Sequence, residues 1–274
     1  MTVTPAPEAA SAAGKPKKLV AFAVDAEAFF TPRDFKAFEG EFTLDIVEIC
    51  RTHNIPCTWL IVVDQEHREA ARVAKEVFPG RKGIDEFSIH GHFMWFIMDR
   101  KGDFESYRKI DRRLAWLRGG RKAIEDAGLP MPRTFRYGGG DSGERRYYVE
   151  DLIFLVDELG VRNFMFTPDR LPDVIGITRH EHKGNNVWTI DGGREITLIR
   201  DCVYLDRPED EVIKAIDQRL AKADYAVIGC HDYVKCVPSN MERTLAHLNA
   251  NYDATCVTLD QIGEKVRAGT LRND

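Results

Sequence analysis

The stretch "LVAFAVDAE", residues 19–27, ends a continuous apolar run with Asp25 and Glu27. A short apolar run bounded by polar residues is typical of a strand buried on both faces, as in a parallel sheet. We predict a strand over residues 19–25 and seven more β-rich segments along the chain. They are residues 57–63, 86–90, 134–138, 162–166, 195–200, 225–231 and 255–259.

Amphipathic segments lie between most of the predicted strands. Apolar residues recur at helical spacing in residues 42–54, 104–128, 144–160, 209–223 and 240–252. Gly128 and Gly160 fall just past two of these segments, where glycine commonly ends a helix. The "DGG" stretch at residues 191–193 indicates a hairpin turn. Strands alternating with helices predict an α/β fold, a distorted or incomplete (β/α) barrel of seven to eight strands.

The length and composition favour one domain. A chain of 274 residues with 43% hydrophobic residues can bury a single barrel core. The first residues are rich in Ala, Pro and Ser, so we expect residues 1–17 to form a flexible tail and residues 18–274 to form the domain. The start has no apolar h-region and no stretch approaches the length of a membrane span. We therefore expect a cytoplasmic protein.

The charge and the cysteines exclude several classes of partner and site. A net charge of −5 offers no basic field for nucleic acid or for an anionic membrane, so we expect a small-molecule substrate. The six cysteines contain no CxxC pair, which argues against a disulfide scaffold or a cysteine-zinc site. The oligomeric state stays open, a homo-oligomer included.

Polar groups follow four of the predicted strands directly. The segments are "VDAE" (24–27), "HGH" (90–92), "RYGGG" (136–140) and "CHD" (230–232). In a parallel barrel such strand ends meet at one mouth, and side chains two residues apart in an extended segment share a face. Asp25 and Glu27 would then converge with His90 and His92. Two carboxylates and two imidazoles are suitable ligands for a divalent metal with an open position.

The same segments resemble motifs of the polysaccharide deacetylase (NodB-homology, carbohydrate esterase family 4) superfamily. "FAVDAE" resembles its aspartate motif, "EFSIHGH" its histidine motif, "TFRYGGG" its arginine motif and "VIGCHDY" its late histidine motif. The resemblance covers about residues 19 to 262. It implies a distorted (β/α) barrel that hydrolyses an N-acyl or O-acyl group with a metal ion.

By position, the resemblance also implies roles for individual residues. Asp25 matches the base, His90 the first metal histidine, Arg136 the arginine that orients the base, and His231 the acid. A backbone N–H near Tyr137 would help to stabilise the oxyanion. Trp95 belongs to an aromatic group that would either pack in the core or form an apolar wall around the substrate.

Two positions depart from the family pattern. Met94 stands where the family has its second metal histidine, and Ala26 stands where a second aspartate would follow Asp25. We therefore predict Glu27, His90 and His92 as ligands of one divalent metal, zinc by preference, with Asp25 as base. Asp25 and Glu27 could exchange these two roles.

Three functions are compatible with this pattern. The first is a metal-dependent deacetylase acting on a small N-acylated amino sugar, aminocyclitol or similar metabolite. The second is a metal-independent hydrolase of a cyclic amide or ureide, which the absence of a histidine at position 94 permits. The third is a non-catalytic ligand-binding protein of the same fold. The "RHEH" stretch, with His180 and His182, indicates a solvated loop rather than a ligand set.

Overall fold

The computed structural model describes five stretches of the chain: residues 15–62, 68–91, 109–136, 148–165 and 174–272. Residues 30, 32 and 35 are left out of the first stretch, and residues 175, 178, 179, 184 and 185 are left out of the last. The strands are β1 (Lys17–Ala26), β2 (Thr58–Val62), β3 (Glu86–His90), β4 (Thr134–Arg136), β5 (Asn163–Met165), β6 (His180–His182), β7 (Val187–Ile190), β8 (Arg194–Ile199), β9 (Val203–Tyr204), β10 (Tyr225–His231) and β11 (Asp253–Cys256). The helices are α1 (Thr43–Thr52), α2 (Arg68–Glu76), α3 (Phe78–Arg81), α4 (Ile110–Asp126), α5 (Val149–Leu159), α6 (Glu209–Lys222), α7 (Val237–Asn251) and α8 (Leu259–Arg267).

All the described strands belong to one sheet. Its order is β6-β7-β8-β5-β4-β3-β2-β1-β10-β9, and β11 pairs with β1 from outside this path. The pairs from β5 through β1 to β10 and β9 are parallel, whereas β6, β7 and β8 are joined antiparallel. The parallel strands curl into an incomplete barrel, which confirms the predicted α/β fold class.

The parallel path β8-β5-β4-β3-β2-β1-β10-β9 of the described sheet has eight strands, in agreement with the seven to eight predicted for the barrel. All eight predicted strands are present, and the described sheet has three more, β6, β7 and β9. Strand β6 contains His180 and His182, so the prediction of a loop there was wrong. Its backbone pairs antiparallel with β7, which an isolated polar stretch of three residues does not reveal. The "DGG" turn is confirmed, since Asp191–Gly193 joins β7 to β8 and Gly192 has a φ of 72°.

The core lies between the sheet and the surrounding helices. Strand β1 is buried from Val20 to Ala26, as its continuous apolar run predicts. Helix α1 buries Ile46 and Ile49 on the face that meets this core. Gly160 ends α5 in the left-handed conformation with a φ of 69°, as the sequence predicts. The carboxyl ends of the parallel strands are where the site of such a barrel forms.

A buried ion pair joins helices α4 and α5. Arg113 Nε donates to Asp151 Oδ1 at 2.9 Å, and each residue is 1% exposed.

Strand β1 begins at Lys17, and residues 1–14 lie outside the described residues. Within the described residues, no helix combines the length and the apolar character needed to cross a membrane.

Candidate active site

The parallel register brings the predicted strand ends together. Asp25 at the end of β1 is the register partner of His231 on β10, and His90 at the end of β3 is the partner of Arg136 on β4. Strand β2 lies between β1 and β3. Four segments that are far apart in sequence therefore end at the same edge of the sheet, where the chemistry of a parallel barrel is found.

Asp25, Glu27 and His90 form a compact, buried group. Nε2 of His90 lies 2.9 Å from Oε1 of Glu27 and 3.9 Å from Oδ2 of Asp25. One nitrogen and two oxygens, one from each side chain, lie within 4.8 Å of one another. The three residues are only 1–2% exposed. Two carboxylates held this close in the interior can share a cation.

The orientation of His90 favours a cation. Its Nδ1 lies 3.3 Å from the backbone carbonyl of Arg136, and when Nδ1 donates to that oxygen the lone pair of Nε2 faces the two carboxylates. A histidine whose second nitrogen donates to a backbone carbonyl is a common arrangement around metals. Oδ2 of Asp25 is the carboxylate oxygen that faces His90, whereas Oδ1 faces the guanidinium of Arg136. The donor set therefore fits a divalent metal with nitrogen and oxygen ligands.

Gly91 allows β3 and β4 to approach each other behind His90. Its N–H donates to the carbonyl of Arg136 at 2.6 Å. A Cβ at this position would lie 2.8 Å from the ring of Phe135 and 3.2 Å from the same carbonyl oxygen. Glycine is required here because any side chain would push the two strand ends apart.

Arg136 lies between two acids. Its Nε is 3.3 Å from Oδ1 of Asp25, and its Nη2 donates to Oδ2 of Asp201 at 2.6 Å. Burial acts to lower the pKa of Arg136, but the charges of Asp201 and Asp25 outweigh it and raise that pKa above its ordinary value. Burial raises the pKa of Asp201, and the charge of Arg136 opposes this. Arg136 is thus a permanent cation beside Asp25.

His231 faces Asp25 from the other side. Its Nε2 lies 3.6 Å from Oδ2 of Asp25, its Nδ1 contacts Oδ2 of Asp206, and its backbone N–H donates to Oδ1 of Asp206 at 3.1 Å. Burial acts to lower the pKa of His231, but the hydrogen bond to Asp206 and the charges of Glu27 and Asp25 raise it to about 9. The imidazole is therefore largely protonated at neutral pH and able to give up a proton.

Two tyrosines hold the His231 ring. Tyr204 stacks on it with ring centroids 5.3 Å apart and planes 22° apart, and Tyr233 lies at 5.1 Å with a tilt of 39°. The guanidinium of Arg136 lies 5.1 Å from the ring of Tyr204. The aromatic contacts and the Asp206 hydrogen bond leave the Nε2 face of His231 directed toward Asp25.

The structure brings together five of the predicted site residues: Asp25, Glu27, His90, Arg136 and His231. The predicted ligand His92 and the predicted substrate contacts Trp95 and Tyr137 lie outside the described residues, as does Met94. Sequence reasoning missed Asp201 and Asp206. Asp201 follows the predicted strand 195–200 directly, so the rule that polar groups at strand ends form the site would have found it.

Comparison with known proteins gives the fold but no relative by sequence. No protein-family model and no curated protein sequence matches this chain. A structure from Mycobacterium smegmatis assigned to the polysaccharide deacetylases has a TM-score of 0.61 and 16% identity, over 100% of this chain and 98% of the other. A family 4 carbohydrate esterase from Streptomyces lividans, in complex with acetate, has a TM-score of 0.52 and 12% identity, over 90% and 94%.

A third structure is a mutant of a CE4 family pseudoenzyme with restored enzymatic activity. Its TM-score is 0.55 and its identity is 14%, over 90% of this chain and 68% of the other. The same architecture thus occurs in esterases and in a pseudoenzyme. On these likenesses, this chain has the fold of the polysaccharide deacetylases of carbohydrate esterase family 4.

Proposed function

We propose that this chain is a metal-dependent hydrolase that removes an acyl group, by preference acetyl, from the nitrogen of an amino sugar, an aminocyclitol or a similar small molecule. One observation carries the proposal. Asp25 contacts a permanent cation, Arg136, on one side and a protonatable imidazole, His231, on the other, next to the Glu27–His90 pair. A base, an acid and a set of metal ligands therefore share one buried position.

Glu27 and His90 would hold the metal, with His92 as a third ligand by position in the sequence. Zinc suits a donor set of one or two imidazoles and a carboxylate. When bound, a divalent cation supplies Lewis-acid chemistry and lowers the pKa of a water.

Asp25 accepts a proton from the attacking water. The guanidinium of Arg136 lies beside this carboxylate, with Nε 3.3 Å from Oδ1 of Asp25. Arg136 is held in turn by Asp201, so the orientation of the guanidinium does not depend on Asp25 alone. Arg136 thus orients the Asp25 carboxylate toward the site.

His231 donates a proton to the departing amine. Its Nδ1 contact with Asp206 fixes the ring and leaves the Nε2 proton facing the site. The raised pKa of His231 keeps this proton in place at neutral pH. The backbone N–H near Tyr137 is proposed as an oxyanion donor, by analogy of position alone.

Release of acetate tests the function. The protein is incubated with Zn²⁺ and N-acetylated amino sugars, as monosaccharides and as short oligosaccharides, with and without a chelator. We expect hydrolysis that the chelator abolishes and that Asp25→Asn lowers about 100- to 10,000-fold. The matched control is His53→Gln, a partly exposed histidine paired with Glu242 away from the site.

The outcome separates the three candidate functions. Hydrolysis of monosaccharides in preference to oligosaccharides supports a small substrate, and the reverse supports a polymer. Hydrolysis of a cyclic amide that the chelator leaves unchanged would replace the proposal with the metal-independent reaction. A protein that binds acetylated sugars without cleaving them, equally in wild type and Asp25→Asn, would be a binding protein.

A further inference from the structure

Buried carboxylates hold the backbone of the segment that carries Glu27. The N–H groups of Glu27 and Ala28 each donate to Oδ1 of Asp232 at 2.9 Å. The next N–H, of Phe29, donates to Oε1 of Glu69 on α2. Asp232 and Glu69 are both 0% exposed. Strand β1 ends at Ala26, so side chains here replace the ladder hydrogen bonds that the strand no longer supplies.

Arg72 joins the two carboxylates. Its Nη2 donates to Oε2 of Glu69 and to Oδ2 of Asp232, each at 2.7 Å, and its Nε donates to the same oxygen of Glu69 at 3.0 Å. Thr43 at the start of α1 completes the group, since its hydroxyl donates to Oδ2 of Asp232 at 2.8 Å and contacts Arg72. Arg72 is only 4% exposed.

This network reaches the site at two points. Asp232 follows His231 directly, and its backbone N–H lies 3.3 Å from the carbonyl oxygen of Asp25. The same carboxylate binds the backbone of Glu27. A displacement of Asp232 would therefore move the proposed acid and the proposed ligand together.

We propose that Arg72 is a positioning residue: through Glu69 and Asp232 it fixes the backbone of residues 27–29 and so directs the Glu27 carboxylate at His90. Arg72, Glu69 and Asp232 would touch neither substrate nor metal. The N–H groups of residues 27–29 bind the two carboxylates, and Arg72 acts on this backbone through them. The effect on metal affinity rests on the proposed function, whereas the effect on the backbone does not.

Two measurements on the full chain separate these effects. Hydrogen–deuterium exchange of peptides spanning residues 27–29 reports the backbone, with residues 20–26 of β1 as an internal reference. Isothermal titration with Zn²⁺ reports the ligands. The variants are Arg72→Leu and the milder Thr43→Val, which keeps the ion pairs. The matched control is Arg113→Leu, which breaks an equally buried ion pair between α4 and α5.

In Arg72→Leu we expect faster exchange at residues 27–29 than in wild type, with residues 20–26 unchanged, and Zn²⁺ affinity weakened about 10- to 100-fold. Thr43→Val should change the exchange rate and the Zn²⁺ affinity in the same direction and by less. If Arg72→Leu does not fold, Thr43→Val serves as the test of the proposal. Arg113→Leu leaves both at the wild-type level. If Arg72→Leu folds and its exchange at residues 27–29 matches wild type, the proposal is overturned. If Arg72→Leu does not fold, the same result in Thr43→Val overturns it. If wild type binds no Zn²⁺, the metal function fails and the exchange alone decides the role of Arg72.

Discussion

Asp25 and His231 are register partners on neighbouring parallel strands, and Nε2 of His231 lies 3.6 Å from Oδ2 of Asp25. The pairing of β1 with β10 is fixed over seven residue pairs by main-chain hydrogen bonds. The distance between the proposed base and the proposed acid is thus set by the sheet rather than by a loop. Substitutions at either residue should change chemistry more than they change the fold.

Asp25 and Glu27 have different neighbours, so their variants should differ. Glu27 lies 2.9 Å from His90, whereas Asp25 contacts Arg136 and His231. We expect Asp25→Asn to retain Zn²⁺ and lose hydrolysis, and Glu27→Gln to lose both. Metal analysis of the purified variants, combined with an acetate-release assay, checks this. The reverse pattern would exchange the two roles, which the sequence alone leaves open.

Arg136 should be important for stability as well as for activity. Arg136 is the cation between Asp25 and Asp201, both of which are largely buried. Arg136→Met would remove the positive charge that pairs with these two carboxylates. Removing one partner of a buried ion pair costs about 3–5 kcal/mol. Urea denaturation should show a loss of that order, with activity lost in parallel. The control Arg194→Met breaks a partly exposed pair with Asp157, and we expect it to cost far less, because solvent screens that pair. Equal losses in the two variants would contradict this account of Arg136.

The Asp206–His231 pair should make stability depend on pH in the metal-free protein. The pKa of His231 is raised from its ordinary 6.5 to about 9 in the folded state. The resulting stabilisation is complete below about pH 6.5 and is lost as the pH rises through about 9. In Asp206→Asn the pKa of His231 should fall, and the decline in stability over this range should shrink. Urea unfolding midpoints of both proteins, measured at about pH 6.5 and about pH 9, check this. The same pH dependence of stability in Asp206→Asn and wild type would contradict the role of the Asp206–His231 pair.

Two glycines in helices should respond to alanine in opposite directions. A Cβ on Gly263 in α8 would lie 1.9 Å from Oδ1 of Asn163, whereas one on Gly119 in α4 would meet nothing within 4 Å. We expect Gly263→Ala to cost about 1–3 kcal/mol through overpacking. Gly119→Ala should gain about 0.5–1 kcal/mol because alanine favours the helix. Thermal unfolding of both variants measures the two signs, and a stabilised Gly263→Ala would refute the contact with Asn163.

The sequence predicts the main strands and the site they carry, because both depend on local pattern. Strands β1, β2 and β10 are largely apolar runs, and Asp25, His90 and His231 lie at the ends of β1, β3 and β10. The β6–β7 hairpin was missed because the three polar residues of β6 carry no strand signal of their own. They form a strand only by pairing with β7. The division into a tail and a single domain stays a prediction.

The Arg72 network was not predictable for a different reason. Helix α2 reads "REAARVAKE", a charged segment that resembles a solvated surface. Glu69 and Arg72 are buried because Asp232, 160 residues after Arg72, comes to lie against them. No local periodicity encodes such a contact. Asp206 was missed likewise, since its partner His231 is 25 residues away.

The most direct test of the account is a Zn²⁺ titration of metal-free wild type, His90→Ala, Glu27→Gln and the control His53→Ala. We predict one ion per chain in wild type and in His53→Ala. Binding should be lost or strongly weakened in His90→Ala and Glu27→Gln, while circular dichroism shows that both remain folded. A wild-type protein that takes up no ion, or a His90→Ala variant that binds Zn²⁺ as tightly as wild type, would contradict the claim that Glu27 and His90 hold a metal beside Asp25.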